Sequence, residues 1–352
     1  MLYQNPPIYF YIPKEYYPKS IPKSANEDWK GFGIGIYAWT LQTYLHLQAN
    51  NFPCKLTDTL PDEGIVLIHR NSFTAFQQQI KPGKKLLLIC LKAEWEPYPY
   101  AQLHVVQNPL ETKYIADSYY IPHWTQPGLI KRDRTRDDKF ENIAFFGFPE
   151  NLAPELTQPS WQAKLQDLGL NWYAATNRDL WNNYSTIDTI LAVRSFDPTS
   201  RYLSRNYISK PATKLYNAWC AGVPAILGYE SAFQAERQSE LDYLEVSSLT
   251  DVIDAIQRLR DDYKLRQAMV ENGDLRAEKI KPDKTVAKWH NFLTNVAIPA
   301  YNRWCLTSKF EQEIFFQRRY VLFKVNRAQN KLRLLALEQF TRFRSEYQKK
   351  RV

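Results

Sequence analysis

The chain has 352 residues, of which 44% are hydrophobic and 24% charged, and a formal net charge of +9. This length exceeds one small module and suits two domains of ordinary size, and the composition excludes broad disorder. The longest uninterrupted apolar run, Leu86 to Leu91, is far short of the roughly twenty residues that span a bilayer. The opening MLYQNPPIYFYIPKEYYP lacks the basic start and long apolar stretch of a secretory leader, so a cytosolic location is expected. The charge is unevenly placed. Residues 306–352 hold twelve Lys/Arg against four Asp/Glu, and the rest of the chain is nearly neutral.

Short apolar runs bounded by turn residues alternate with stretches of helical spacing, which predicts an α/β fold with parallel sheets covered by helices. In the first half the predicted strands are Ile8 to Ile12, Cys54 to Asp58, Ile65 to Ile68, Leu86 to Leu91 and His104 to Val106, with a helix over Ile34 to Gln48. Prolines 122 and 127 and the mixed charge run Lys131 to Lys139 then mark a linker. The second half restarts the alternation: strand Ile143 to Phe146, helix near Trp161 to Leu168, strands Asn171 to Ala175 and Thr189 to Val193, helix Thr213 to Ala221, and strand Ala225 to Leu227. Leu241 to Val246 leads into a helix capped by Thr250, whose Val252, Ile253, Ile256 and Leu259 share one face. Two similar α/β halves in series result, without an internal repeat. Cys54, Cys90, Cys220 and Cys305 lie far apart and have no histidine at ligand spacing, which predicts neither a disulfide framework nor a zinc site.

Two segments carry chemistry. Gly31-Phe32-Gly33-Ile34-Gly35 opens the first helix, where glycines let a ligand approach the backbone and free N–H groups favour phosphate or sugar oxygens. The spacing is not that of a dinucleotide fingerprint, and a plain tight turn is the alternative. In Ser209 to Phe233, SKPATKLYNAWCAGVPAILGYESAF, Lys214 and Asn217 share a helix face at i and i+3 near the helix start, so an ammonium and an amide point together, suited to a diphosphate and a ribose. Gly222 ends that helix and Pro224 blocks its continuation. The next strand delivers Gly228, Tyr229, Glu230 and Ser231 to the sheet's carboxyl edge, where open α/β sheets bind ligands.

KPATKLYNAWCAGVPAILG, followed by SELDYLEV and RLRDDYKLRQAMVENG, resembles the C-terminal domain of nucleotide-sugar glycosyltransferases of the two-Rossmann (GT-B) fold, in particular the retaining group 1 family. The resemblance covers Asn142 to Gly273 and is weaker in the N-terminal half. It implies an N-terminal Rossmann-like acceptor domain over 1–125, a linker over 126–140, a C-terminal donor domain over 141–285, a crossover helix over 286–305 and a basic helical tail over 306–352. It also implies transfer of a sugar from a nucleotide-diphosphate sugar, used as co-substrate, to an acceptor that remains open. The sequence departs from the family's pattern. Ser209 and Asn217 stand where group 1 enzymes carry two glutamates, and Phe148 stands where they carry an arginine after the first strand of that domain.

The donor site expected from this resemblance comprises Thr213, Lys214, Asn217, Glu230 and Ser231, with Arg194 and Lys214 neutralising the departing diphosphate and Lys210 as a further cation. No metal or other cofactor is expected, since basic side chains and helix dipoles serve the diphosphate in this fold. His69, just past a buried strand in IVLIHRNSF, is the candidate catalytic residue on the acceptor side, with Lys92 and Glu94 similarly placed in LLLICLKAEWEP. Trp39, Trp95 and Trp124 are candidates for stacking on a sugar, against core packing. In the tail, Ile314, Val321, Val325, Leu332 and Leu335 recur at helical spacing among Arg318, Arg319, Lys324, Arg327, Lys331 and Arg333. Such a basic amphipathic helix suits an anionic membrane surface or a protein partner, or packs on the body; without an RNA motif, nucleic acid is the weakest reading. The alternative to an enzyme is a catalytically silent GT-B scaffold acting through this tail.

Overall fold

The computed structural model describes residues 5–29, 32–73 and 82–349, with side chains of the last helix described for part of its length. Two parallel sheets form two lobes. In the first, strands β1 (Ile8–Tyr11), β2 (Lys55–Thr57), β3 (Gly64–His69), β4 (Leu86–Leu91), β5 (Leu103–Val106) and β6 (Ser118–Tyr120) run in the order β2-β1-β3-β4-β5-β6. In the second, β7 (Asn142–Phe146), β8 (Asn171–Ala175), β9 (Thr189–Ala192), β10 (Ala225–Gly228) and β11 (Leu244–Val246) run in the order β11-β10-β9-β7-β8. Every strand pair is parallel. These are the two parallel-sheet α/β halves that the alternation predicts, in the two-Rossmann architecture that the resemblance implies.

Central strands buried on both faces need continuous apolar runs, and GIVLIH and LLLICL supply them. The predicted strands are all present to within a few residues. The edge strand β6 has no counterpart among them, because three half-buried residues carry no periodic signal. In the first lobe a π-helical turn, Tyr37–Leu41, leads into α1 (Gln42–Ala49). The second lobe adds α2 (Pro159–Asp167), α3 (Pro198–Leu203), α4 (Thr213–Ala221), α5 (Ser231–Glu236), α6 (Leu249–Asp261) and α7 (Tyr263–Glu278). The left-handed Gly222, at φ 71°, closes α4 as its spacing predicts. The cap of α6 is Ser248 rather than Thr250: Ser248 and Asp251 form a reciprocal capping box, which places Thr250 inside the first turn.

The chain segment between the sheets is tied to the second lobe. Asp188, almost fully buried, accepts hydrogen bonds from Arg132 and Arg136 side chains at 2.7–3.0 Å and from the Glu141 and Asn142 backbone N–H groups at 2.9 Å. After α7 the chain turns back: α8 (Pro282–Phe292), a π-helical turn Leu293–Ala297 and α9 (Ile298–Leu306) pack Trp289, Phe292, Leu293 and Trp304 into the core of the first sheet.

The last helix, α10 (Lys309–Lys349), faces the body with an unexpected side. Phe316 enters the first-lobe core, and the Arg319 guanidinium bonds the Ala101 and Gln102 carbonyls at 2.9 and 3.0 Å and pairs with Asp117. Arg333 reaches the Tyr202 carbonyl of α3 at 3.1 Å. The predicted apolar stripe points outward instead: Val321, Val325, Leu332 and Leu335 are exposed.

Candidate functional site

In each sheet the chain crosses to opposite sides after one strand, and the crevice at that reversal is where open α/β sheets hold ligands. The reversals lie between β1 and β3 and between β7 and β9. Both open onto one cleft of about 500 Å³, lined by Gly33, Gly35 and His69 from the first and by Gly147 and Arg194 from the second. The lobes meet beside it. Gln107 donates to the Ser209 carbonyl at 2.6 Å, Asn108 to Ser231 Oγ at 2.9 Å, and Tyr120 to Glu236 at 2.9 Å, while Lys210 pairs with Glu94.

Lys214 lines this cleft from the first turn of α4. The helix start has no side-chain cap, so its first N–H groups are open to a ligand. Thr213 Oγ1 is buried there without a partner among the described residues. Lys214 Nζ takes no ion pair among the described residues and lies 5.4 Å from the centre of the Phe145 ring. Gly147 lies beside it: a Cβ there would sit 3.4 Å from Nζ, an ordinary contact, and 3.0 Å from the Phe145 ring. Burial, and then the Arg194 charge, lower the Lys214 pKa to about 8, against the opposing pull of Glu230 and Glu94. An ammonium so placed, beside an uncapped helix start, is a site for a negatively charged group.

The other expected donor residues divide. Arg194 reaches the cleft, held by Glu230 at 3.0 Å and by Asn151. Asn217 also lines it, but its Oδ1 accepts from the Gln126 backbone N–H at 3.1 Å, so that oxygen is engaged on the segment between the lobes. Glu230 and Ser231 are not brought to the cleft wall: Glu230 is buried as the counter-charge that orients Arg194, and Ser231 is spent on Asn108 in the lobe contact. Gly33 packs against Arg178 of the second lobe and Gly35 against His69, whereas Gly31 lies outside the described residues. Ser209 does not line the cleft, and its carbonyl accepts from Gln107.

His69 is on the cleft, buried, and neutral: burial, then Arg70 and His123, lower its pKa to about 3. The Asn71 N–H donates to its Nδ1 at 3.3 Å, so the neutral ring carries its proton on Nε2, an atom with no partner among the described residues. His69 therefore offers a hydrogen-bond donor and does not offer the lone pair of a base. His123 has the opposite tautomer. Its Nδ1 donates to the Trp124 carbonyl at 2.7 Å, which leaves the Nε2 lone pair open. Burial lowers its pKa too. Recognising β6, which ends just before His123, would have placed that residue at a strand's carboxyl end. Glu94 joins it on the cleft, at the carboxyl end of β4, where Ala93 turns the chain through a left-handed φ of 49°. A non-glycine residue in that region is uncommon, and here it re-aims the chain toward the cleft. Trp39 and Trp95 line the cleft, while Trp124 is buried, stacked on His46 at 4.0 Å. Among the described residues no group of His, Cys, Asp and Glu is arranged to hold a metal ion.

No family model matches the sequence, and no curated protein matches it. Solved structures do show a likeness. The chain is similar to sucrose-phosphate synthase from Thermosynechococcus elongatus, at 13% identity over 67% of this chain and 74% of that one, TM-score 0.44. It is also similar to Anabaena HepE in complex with UDP and glucose, at 9% over 71% and 88%, TM-score 0.46. A third is AviGT4, a glycosyltransferase involved in avilamycin A biosynthesis, at 12% over 86% and 99%, TM-score 0.46. The likeness is one of fold.

Proposed function

We propose that the protein transfers a sugar from a nucleotide-diphosphate sugar to an acceptor hydroxyl. The observation that supports this most directly is Lys214, unpaired among the described residues beside the uncapped start of α4, at a crevice where two sheet reversals face each other. In this reading the diphosphate lies against Lys214 and the α4 N–H groups, with Arg194 beside it. As the bond from the anomeric carbon to the phosphate oxygen breaks, the electron pair leaves on the diphosphate and these groups meet the growing charge. The acceptor oxygen bonds to the anomeric carbon and gives its proton to His123 or Glu94, while His69 donates a hydrogen bond from Nε2 to a hydroxyl of the sugar. No step requires a divalent ion, so turnover is expected to persist in a chelator. Titration with UDP and GDP, followed by donor hydrolysis with a panel of nucleotide sugars, tests the reading. Binding that weakens in Lys214→Ala supports it; a folded wild-type chain that binds neither nucleotide removes it and favours a silent scaffold.

We further propose that the tail attaches to an anionic membrane surface. On the outward side of α10, exposed Val321, Val325 and Leu332 form an apolar stripe, and Arg318, Lys324 and Lys331 beside it match anionic headgroups. No helix among the described residues is long and apolar enough to cross a membrane. Flotation with phosphatidylglycerol vesicles, lost in Val321→Glu/Leu332→Glu and absent with phosphatidylcholine alone, is the expected result.

A further inference from the structure

A second cavity, of about 610 Å³, adjoins the cleft and runs between the first lobe, the chain that joins α3 to α4, and α10. Glu94 and Trp95 line both spaces, so the two adjoin beyond the carboxyl end of β4. Its floor holds a buried ion pair between Lys92 and Glu111, with His104 alongside. Lys92 takes one oxygen of Glu111. The other, Oε2, and His104 Nδ1 are fully buried and have no partner among the described residues. Both atoms are enclosed within that floor, so a ligand in the cavity would meet its walls rather than these atoms.

The walls indicate the chemistry of that ligand. From α10, Asn326, Gln329 and Asn330 line the groove at i, i+3 and i+4, which places three carboxamides on one helix face. Trp95 and Tyr114 also line it, 53% and 59% exposed, with the Arg205 guanidinium over one face of Tyr114 at 5.0 Å. Lys92, Arg205, Arg319 and Arg327 are nearly balanced by Glu94, Glu96 and Glu111, so the groove has no strong preference for an ion. Amides and carboxylates that bond hydroxyls, combined with exposed aromatic faces that stack on C–H surfaces, suit a neutral polyhydroxylated chain.

We propose that this groove binds an oligosaccharide acceptor, whose reacting end passes Trp95 into the cleft, and that α10 is a wall of the acceptor site. The proposal rests on the donor reading above for its chemistry, but not for its binding test. Calorimetric titrations of the full chain use UDP and GDP as probes of the cleft, and maltotetraose, cellotetraose, mannotetraose and chitotetraose, each against its monosaccharide, as probes of the groove. At least one tetrasaccharide is expected to bind better than its monosaccharide. Asn326→Ala/Asn330→Ala is expected to weaken it by about tenfold or more while nucleotide affinity changes by less than about twofold. Both asparagines are exposed, and an unchanged unfolding midpoint checks the fold of the variant. If nucleotide binds and no tetrasaccharide does, or if the variant binds the tetrasaccharide as tightly as wild type, the groove proposal is wrong and the donor reading stands. If a tetrasaccharide binds through Asn326 and Asn330 while neither nucleotide binds, the groove is a glycan site and the donor reading fails.

Discussion

Asp188 and Lys214 are both ionic groups held inside the second lobe, and they differ in what surrounds them. The Asp188 carboxylate collects six hydrogen bonds, four from Arg132 and Arg136 and two from backbone N–H groups. Burial pushes its pKa up, but the hydrogen bonds from Arg136, the backbone and Arg132 outweigh this and hold it below the usual carboxylate range. Lys214 has no such set, and burial with the nearby Arg194 charge weakens its hold on a proton. A saturated charge ties parts of the chain together. An unsaturated one, kept beside an open cleft at a cost in desolvation, is available to a ligand.

Removing each charge should break different properties. Asp188→Ala leaves two guanidinium groups without their counter-charge and is expected to cost about 3–5 kcal/mol in a urea unfolding experiment, with nucleotide affinity retained by the folded fraction. A loss below about 1 kcal/mol would return the network to the rank of an ordinary surface pair. Lys214→Ala should do the reverse: donor turnover falls by about 10²–10³-fold, with the unfolding midpoint unchanged or raised. If that midpoint instead drops as far as in Asp188→Ala, the distinction between the two charges disappears.

The pH dependence sharpens the contrast. Lys214 loses its proton as pH rises through about 8, so nucleotide affinity in the free protein should decline above that pH, and Lys214→Arg should move the decline upward. Stability responds on the acid side. Burial lowers the pKa of His46 to about 4 and those of His69 and His104 to about 3, so these rings stay neutral in the fold. The unfolded chain takes up their protons below about pH 6.5, so this stability is complete above that value and is lost as pH falls toward 4 and then 3. Each ring contributes a slope of up to about 1.4 kcal/mol per pH unit, readable from urea midpoints across that window. The smallest expected effect is that of His69→Phe, about tenfold in donor turnover, partly restored by His69→Gln, which keeps an N–H donor. Undiminished turnover in His69→Phe would make the ring a packing element alone.

Much of the fold is legible in the sequence. LLLICL and GIVLI announce central strands because a strand covered on both faces must be apolar throughout. The TKLYNAWCA helix closed by Gly222 and Pro224 is readable residue by residue, and it brings Lys214 to the cleft. The site's other half is less legible. Glu230 and Ser231 come after a strand end, where open α/β sheets bind ligands, yet they turn to Arg194 and Asn108, partners distant in the chain. The difference between His69 and His123 depends on which ring nitrogen meets a backbone group, which no spacing records. In α10 the stripe of Val and Leu is visible, while the packing side, made by Phe316 and Arg319, depends on carbonyls at Ala101 and Gln102.

The sequence by itself determined two parallel-sheet halves, the α4 helix with its lysine, and a basic last helix, since periodicity, caps and turns are local properties of the backbone. Only the tertiary structure decided which charges are saturated and which stay open, because a buried group's partners come from segments brought together by packing. It likewise decided that α10 walls a groove adjoining the cleft, a relation set by chain segments more than two hundred residues apart.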